Sequence, residues 1–168
     1  MTITSAADLR VSQLAPEDLS EETRALLYDE LYRDYGVSRD QDWLNAADGG
    51  RFFVARNQRG LVCGAGRLMP AGPATLEHGL QIRQLATTAS EQGQGVGSAV
   101  MDAIEAEILE RDVSRAWLKA RKQAWDFYLK RGYQFEGPEF SAGECLAQDG
   151  LFVSKLTGIP HKIMAKRL

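Results

Sequence analysis

The stretch "EQGQGVGSAV", Glu91–Val100, places three glycines within five positions and then changes at once into a helical pattern. Apolar residues recur every four positions from about Gly95, which predicts a helix whose core-facing side is formed by Val96, Val100, Ile104 and Ile108. At a helix start, unpaired backbone N–H groups and the positive end of the helix dipole can bind an anion. Glycines let a phosphate approach the backbone closely, because they have no Cβ atom. Taken alone, the glycines also fit a tight turn without a ligand.

Two common phosphate-binding motifs do not match this stretch. A Walker A loop requires Gly-Lys followed by Ser or Thr, whereas Gly97 is followed by Ser98 and Ala99. The dinucleotide motif G-x-G-x-x-G, begun at Gly93, requires a glycine at the position of Ser98. The pattern that fits is Q-x-x-G-x-G, formed by Gln92, Gly95 and Gly97.

The longer segment "IRQLATTASEQGQGVGSAVMDAI" resembles the acetyl-CoA-binding segment of the GNAT superfamily of N-acetyltransferases. In that family, a strand and a short loop precede R/Q-x-x-G-x-G/A, and loop amides hold the coenzyme A pyrophosphate. The strand splays from its neighbour and pairs with the pantetheine arm. The resemblance therefore implies a pantetheine-binding strand at Leu85, Ala86 and Thr87. It also implies a pyrophosphate loop formed by Gln92, Gly93, Gln94, Gly95, Val96, Gly97 and Ser98.

A second segment, "AWDFYLKRGYQF", resembles the A-x-x-F-Y-x-K-x-G-F segment of the same family. In relatives its tyrosine, here Tyr128, lies near the thioester sulfur, and the resemblance adds Ala124 and Phe127 to the cofactor-binding candidates. Arg121 stands where an asparagine of many relatives contacts the cofactor. A guanidinium at this position could reach a phosphate or the substrate.

The order of the predicted elements is also similar to that of the family, so we expect residues 1–168 to form one GNAT domain. The expected fold is α/β, with a mixed central sheet flanked by helices. Ser20 is the predicted N-cap of a first helix. The remaining expectations are a strand at Leu9–Leu14, a short helix or helical turn in "DQDWLNAADGG", a hairpin around Asn57–Gly60, a long strand in "LEHGLQIRQLATTAS", a strand at Ser114–Ala120, a strand in "YQFEGPEF", an irregular stretch at Ser141–Pro160 and a solvated strand edge in "HKIMAKRL".

Acyl transfer from a thioester to an amine requires a neutral amine, a stabilised carbonyl oxygen and a proton for the departing thiolate. Strand amides near Leu85 could stabilise the oxygen. Tyr128 is the candidate acid, because a phenol (about 10) and a thiol (about 8.5) have comparable pKa values. The candidate bases are Glu77 with its neighbour His78, and His161 in "GIPHKIM".

For several of these residues a structural role is the alternative to a functional one. The segments "GPEF" and "GIPHKIM" are similar to those of a subgroup of small bacterial GNAT proteins, and His161 lies near the active site only by that analogy. Tyr128 could equally be a packed aromatic residue if the family pattern is set aside. The aromatic residues Tyr32, Tyr35 and Trp43 either line the acceptor pocket or pack in the core. Cys63 and Cys145 have no base beside them in the sequence, which disfavours nucleophilic roles.

Composition narrows the classes of partner. The chain has 168 residues and a net charge of −3, so no general basic surface favours nucleic acid. Its two cysteines and two histidines have no metal-site spacing, and no metal is expected. A signal peptide and a membrane-spanning apolar run are both absent from the sequence, which predicts a cytoplasmic protein without a membrane partner.

Together these patterns predict an N-acetyltransferase that moves acetyl from acetyl-CoA to a primary amine by direct attack in a ternary complex. The acceptor is a small molecule or a peptide, and the acidic net charge permits a cationic amine without choosing one. One alternative is a non-catalytic, CoA-binding regulatory module with the same fold. Another is an unrelated phosphate-binding domain. The resemblance is also compatible with a homodimer, since many relatives pair.

Overall fold

The structure, a computed structural model, describes residues 8–73, 75–136, 145–146, 152–154 and 156–168. Within them, the strands are β1 (Arg10–Leu14), β2 (Arg51–Arg56), β3 (Val62–Leu68), β4 (Leu80–Thr87), β5 (Arg115–Arg121), β6 (Gln134–Phe135), β7 (Cys145–Leu146), β8 (Phe152–Val153) and β9 (Pro160–Arg167). The α-helices are α1 (Glu21–Leu31), α2 (Thr75–His78), α3 (Val96–Glu110) and α4 (Trp125–Lys130).

All described strands belong to one mixed sheet in the order β1-β2-β3-β4-β5-β9-β8-β7, with β6 also pairing with β9. The β4–β5 pair is parallel and is connected through α3, whereas the other pairs are antiparallel. The two main apolar clusters lie on opposite faces, because alternate residues of β2 enter different clusters. Phe53 packs in the cluster of α3, and Phe52 packs in the cluster of α1. The sheet therefore separates α1 from α3.

The two long helices form as their sequences predict. The Ser20 hydroxyl accepts a hydrogen bond from the Thr23 backbone N–H at 3.2 Å, which confirms Ser20 as the N-cap of α1. The predicted stripe of α3 is fully buried and packs on the sheet through Val96, Val100, Ile104 and Ile108. Burial of this stripe is the main reason that the segment is helical, since a short amphipathic helix gains most of its stability from packing.

Two local predictions were wrong. The C-terminal segment is not a sheet edge, because β9 lies between β5 and the short strands β6 and β8. The sequence indicated irregular structure or one longer strand in the region of β6 and β8; residues 137–140 of that longer strand lie outside the described part. The short helix or helical turn predicted after residue 40 is the 3-10 turn Ala46–Asp48, which ends at Gly49. The one-turn α2 was not predicted.

A buried carboxylate connects α3, the turn after α4 and β9. Glu105 is 7% exposed. Its Oε1 accepts hydrogen bonds from Arg131 Nη2 at 3.0 Å and from Lys166 Nζ at 2.9 Å. The same Arg131 nitrogen also donates to Asp102 at 2.8 Å, but Asp102 lies at the surface with its side chain 72% exposed. The triad fixes the end of α4, the helix that carries Tyr128.

We expect Glu105→Ala to lower the free energy of unfolding by about 3 kcal/mol, because it leaves two cations without their shared buried partner. Asp102→Ala is the matched control, since it removes a solvated partner of the same arginine and should cost less than about 1 kcal/mol. Urea denaturation followed by circular dichroism measures both. Equal losses in the two variants would contradict a special role for the buried triad.

Candidate active site

The two parallel strands at the centre of the sheet separate toward their carboxyl ends. Pairing between β4 and β5 runs from Leu80–Ala116 to Ile82–Leu118 and then stops. Beyond that point β4 continues through Arg83–Thr87, and β5 continues to Arg121. The facing backbone edges of these extensions are not paired with each other, so an extended ligand could pair with one of them. We call this region the opening.

A β-bulge in β4 lies where the opening begins. On β3, Ala65 and Arg67 are two positions apart, whereas their partners on β4, Ala86 and Arg83, are three apart. The extra residue gives Gln84 a positive φ of 51°. Because a bulge bends and twists its strand, it directs the rest of β4 away from β5.

The bulge is held by a fully buried arginine. Arg67 is 1% exposed, and its Nη1 donates to the Gln84 side-chain oxygen at 3.1 Å. Its remaining hydrogen bonds go to backbone carbonyls of the loop before β2, namely those of Leu44, Asn45 and Gly49. Gln84 in turn donates to the Tyr32 hydroxyl at 2.9 Å. Burial lowers the pKa of Arg67, and nearby Arg83 lowers it further.

The glycine-rich loop ends at an uncapped helix start beside the opening. Gly95 is the N-cap of α3 with φ 82°, and no side chain caps this end of the helix. The first turn of α3 also contains no acidic residue. The positive end of the helix dipole is therefore left for an external anion. Gly93 has φ 81° and open space where a Cβ would lie.

The structure gives the third glycine a packing role. A Cβ on Gly97 would lie 3.3 Å from Cζ of Phe127, so this glycine lets α3 and α4 approach each other. Within the described residues, the buried Thr88 Oγ1 has no hydrogen-bond partner, and the same holds for Gln94 Oε1. These two atoms flank the glycines, and so does a third unpartnered buried atom, Glu91 Oε2. The Thr88 hydroxyl can donate to a phosphate oxygen, whereas the oxygens of Gln94 and Glu91 only accept and need an N–H or O–H donor. The uncapped helix start, the glycines and the Thr88 hydroxyl thus fit a phosphate-bearing ligand.

Tyr128 lies on α4 with only 7% of its surface exposed. Its ring packs edge-on against Phe127 at 5.1 Å and against Tyr133 at 5.7 Å between centroids. Burial raises the pKa of the Tyr128 hydroxyl, and Arg131 and Arg121 oppose the rise. The phenol is therefore a weaker acid than the unperturbed value assumed from the sequence. Ala124, the N-cap of α4, packs against the core cluster that contains Tyr128 and the buried side of α3.

The aromatic residues predicted around the acceptor divide into two groups. Tyr32 and Trp43 pack in the core at 5.3 Å between centroids and are buried. Tyr35 is exposed and lies under the Arg121 guanidinium, 5.0 Å from its ring centroid. Arg121 also donates from Nη2 to the Leu31 carbonyl at 2.9 Å, at the end of α1. The structure thus places Arg121 on the α1 side of the sheet.

The candidate bases lie at different ends of the sheet. His161 pairs with Arg121 in the β5–β9 ladder, close to the opening. Glu77 lies on α2 at the amino end of β4, and its side chain is 83% exposed. A strand rises about 3.3 Å per residue, so the five steps from Leu80 to Leu85 span roughly 17 Å, and Glu77 precedes that strand. The structure does not bring Glu77 or His78 to the opening.

A cavity of about 650 Å³ lies at the same distant end, lined by α2, the starts of β5 and β6 and the end of β9. Two of its charged groups form an ion pair, in which Arg115 Nη2 lies 2.8 Å from Glu136 Oε1. Since it lies at the paired ends of β4 and β5, it is separate from the opening. We therefore locate the candidate site at the opening and not in this cavity.

Cysteine and metal chemistry find no support in the described part of the chain. Cys63 is buried in β3, and burial together with the nearby Glu91 charge raises the pKa of its thiol to about 11. A thiol of this kind stays protonated near neutral pH and is a poor nucleophile. Among the described residues, no group of three or more His, Cys, Asp and Glu side chains could hold a metal ion. Nor does that part of the chain contain a helix long and apolar enough to cross a bilayer.

A mixed sheet whose central parallel strands separate beside a glycine-rich helix start is also the fold of known acyl-CoA N-acyltransferases. A protein of this class from Klebsiella pneumoniae superposes with a TM-score of 0.68 at 19% identity, covering 96% of this chain and 99% of that chain. A GNAT family acetyltransferase from Elizabethkingia anophelis, solved with acetyl-CoA bound, gives a TM-score of 0.66 at 12% identity, covering 96% and 99%. At these identities the likeness establishes the fold.

Sequence comparison establishes the family. The sequence model of the acetyltransferase (GNAT) family matches residues 15–133. A Bacillus subtilis (strain 168) protein classed as an acetyltransferase is 28% identical over 102 residues, which are 59% of this chain and 60% of that protein. The match thus spans less than two thirds of the relative's length. The chain belongs to the acetyltransferase (GNAT) family.

The sequence analysis missed Arg67 and Gln84, the residues that shape the opening. One signal was available, because Arg67 is the only charged residue in the otherwise apolar and glycine-containing strand "VCGAGRL". A charge in a strand that is buried on both faces requires several acceptors. Gln84 gave no signal, since neither its positive φ nor its bulge follows from residue type.

We expect Arg67→Met to lower the free energy of unfolding by at least about 3 kcal/mol, because it leaves buried carbonyls without donors. Hydrogen exchange of the amides at positions 44–49 and 84 should also become faster. Arg59→Met, in the exposed turn between β2 and β3, is the control and should change stability by less than about 0.5 kcal/mol. An Arg67→Met protein as stable as wild type would exclude Arg67 as the support of the bulge.

Proposed function

We propose that this protein transfers the acetyl group of acetyl-CoA to an amine by direct attack in a ternary complex. The observation that carries the proposal is the end of β4–β5 pairing at Ile82–Leu118, together with the uncapped start of α3, where Gly97 lies near Thr87 at the far end of the opening. An extended thiol-bearing arm fits between separated strands, and a pyrophosphate fits at a helix N-terminus. The family assignment supports the same donor.

In this proposal the donor binds to the α3 side of the opening. The backbone of Leu85–Thr87 pairs with the pantetheine arm, and the loop Gln92–Ser98 binds the pyrophosphate. The unpartnered Thr88 Oγ1 and the uncapped Gly95 support this position, because both are polar sites left open by the protein. Ala124 and Phe127 contribute the adjacent wall on α4, where Phe127 already contacts Gly97.

The chemical step forms one bond and breaks one bond. The neutral amine nitrogen forms a C–N bond with the acetyl carbon, and the C–S bond breaks. The nitrogen loses one proton to water or a base, and the departing sulfur gains one proton, so the products are an acetamide and free CoA. A strand amide near Leu85 stabilises the carbonyl oxygen as its charge develops.

Tyr128 donates a hydrogen bond and then its proton to the departing sulfur. Burial raises the pKa of its hydroxyl, so the phenol stays protonated over the whole neutral range. The neighbouring charges of Arg131 and Arg121 favour the phenolate that forms transiently. His161 is the candidate base on the basis of its position beside Arg121, whereas the distant Glu77 requires a large rearrangement to act.

We expect Gly95→Asp to weaken acetyl-CoA binding more than about a hundredfold, because a carboxylate about 4 Å from a phosphate opposes it by roughly 4 kcal/mol. The matched control is Gly60→Asp. Gly60 has a similar φ (77°) and open space around it, but lies in the turn between β2 and β3. Isothermal titration calorimetry measures both affinities. Unchanged binding by a folded Gly95→Asp protein would remove the pyrophosphate from this loop.

We expect Tyr128→Phe to lower kcat by about 10²–10³ while leaving acetyl-CoA affinity unchanged, as for loss of a general acid. Tyr133→Phe is the control, because the buried Tyr133 hydroxyl has no hydrogen-bond partner among the described residues. In wild type, kcat should show no loss from Tyr128 ionisation below about pH 10, because a raised pKa keeps the proton until the pH exceeds it. An alkaline loss of activity near pH 9 that disappears in Tyr128→Phe would contradict this assignment.

A further inference from the structure

The carboxyl end of β5 presents an arginine on the side of the sheet opposite to α3. Arg121 contacts the Leu31 carbonyl at the end of α1 and the Tyr35 ring that follows it. Both contacts lie on the α1 side, whereas the proposed donor approaches from the α3 side. The opening connects the two sides. An acceptor that reaches the thioester from the α1 side therefore passes Arg121.

Arg121 has few partners for a partly buried cation. Among the described residues its guanidinium donates a hydrogen bond to the Leu31 carbonyl and also hydrogen-bonds the Tyr35 side chain, which leaves part of its five N–H donors for another acceptor. No described carboxylate lies within ion-pair distance of it. Burial lowers the pKa of Arg121, and the nearby tyrosines Tyr35 and Tyr32 oppose this. An anion at the unused donors would compensate a charge that is partly removed from water.

The charge around this part of the opening is positive, although the chain as a whole is acidic. Burial raises the pKa of the Tyr32 hydroxyl, whereas the Gln84 hydrogen bond and the charges of Arg121, Arg67 and Arg83 lower it. The positive charges of three arginines therefore all lower the pKa of the Tyr32 hydroxyl, which lies at the bulge. Asp48 contacts Arg83 at 3.6 Å, and the charges of Asp48 and Asp42 also act on Arg67, so carboxylates partly offset two of the three charges but not that of Arg121.

We propose that the acceptor amine carries a carboxylate or phosphate group, and that Arg121 binds this anion while the amine nitrogen lies at the opening. The inference rests on the proposed acetyl transfer and adds the class of acceptor to it. The planar fork of a guanidinium suits either anion, because both offer two oxygens to parallel N–H donors. The local charge thus favours an anionic amine over the cationic amines that the net charge permits.

Matched acceptors test the proposal with the full-length protein. Acetylation rates are measured by CoA release for a panel of α- and ω-amino acids, each against its amide, and for O-phosphoethanolamine against ethanolamine. We expect a higher kcat/KM for the anionic member of at least one pair. The carboxylate and phosphate arms show which anion is bound, and a preference for either one supports the proposal.

Variants separate recognition from an effect on the fold. Arg121→Gln keeps a donor for the Leu31 carbonyl but removes the charge. It should lower kcat/KM for the preferred anionic acceptor by about 10- to 100-fold more than for its neutral partner, mainly through KM, whereas any effect of the lost charge on the Tyr128 phenolate lowers kcat for both partners alike. Arg121→Lys should keep part of the preference. Arg59→Gln, an exposed charge change in the β2–β3 turn, should have no effect.

Two results would overturn the proposal and leave acetyl transfer intact. In the first, wild type acetylates the neutral acceptor of each pair as fast as the anionic one, or faster. In the second, Arg121→Gln lowers kcat/KM equally for both acceptors of a pair. Absence of turnover with every amine, despite binding of acetyl-CoA, would instead overturn the proposed function. In that case a binding measurement still tests whether Arg121 binds an anion. CoA-loaded wild type should bind the N-acetyl amino acids more tightly than their amides, and equal affinities would exclude an anion site at Arg121.

Discussion

The hydrogen bonds from the buried Arg67 to Gln84 and to the carbonyls of the preceding loop are the interaction on which the site depends. Two regular parallel strands would stay paired along their length, and no ligand could then enter between them. The bulge at Gln84 prevents this, but a non-glycine residue with φ 51° needs support from its surroundings. Arg67 provides that support through its hydrogen bonds. If its guanidinium left the interior, the buried carbonyls that accept those hydrogen bonds would lose their donors. The opening between β4 and β5 is therefore a fixed feature of the fold.

Opposite faces of the sheet then serve different ligands in the proposed reaction. The α3 face offers an uncapped helix start, glycines with left-handed backbone and the unpartnered Thr88 hydroxyl, which suit a pyrophosphate. The α1 face offers arginines and the exposed Tyr35, which suit an anionic acceptor. Tyr128 packs on the α3 face, and the contact between Arg131 and Glu105 fixes the end of its helix. Arg131 thus links stability to the proposed catalysis, because its charge also favours the Tyr128 phenolate.

Much of this fold was predictable from local patterns, because hydrophobic period and capping residues report local structure directly. The stripe of α3, the Ser20 cap and the hairpin of β2 and β3 are examples. The position of β9 was not predictable, because whether a strand lies inside a sheet depends on partners far away in the sequence. The sequence predicted the glycine loop as a phosphate site, but in the structure one of its glycines, Gly97, has a packing role because it makes room for Phe127. The bulge and the placement of Arg121 depend on tertiary contacts that no spacing in the sequence reveals.

The most direct test of the central claim is amide hydrogen exchange of the whole protein with and without saturating acetyl-CoA. The donor position predicts slower exchange at Leu85–Thr87 and Gly93–Ser98, with no change around Glu77 at the opposite end of β4. Slower exchange confined to the cavity lined by Glu77, Arg115 and Glu136, or no change at either end, would contradict a thioester bound in the opening.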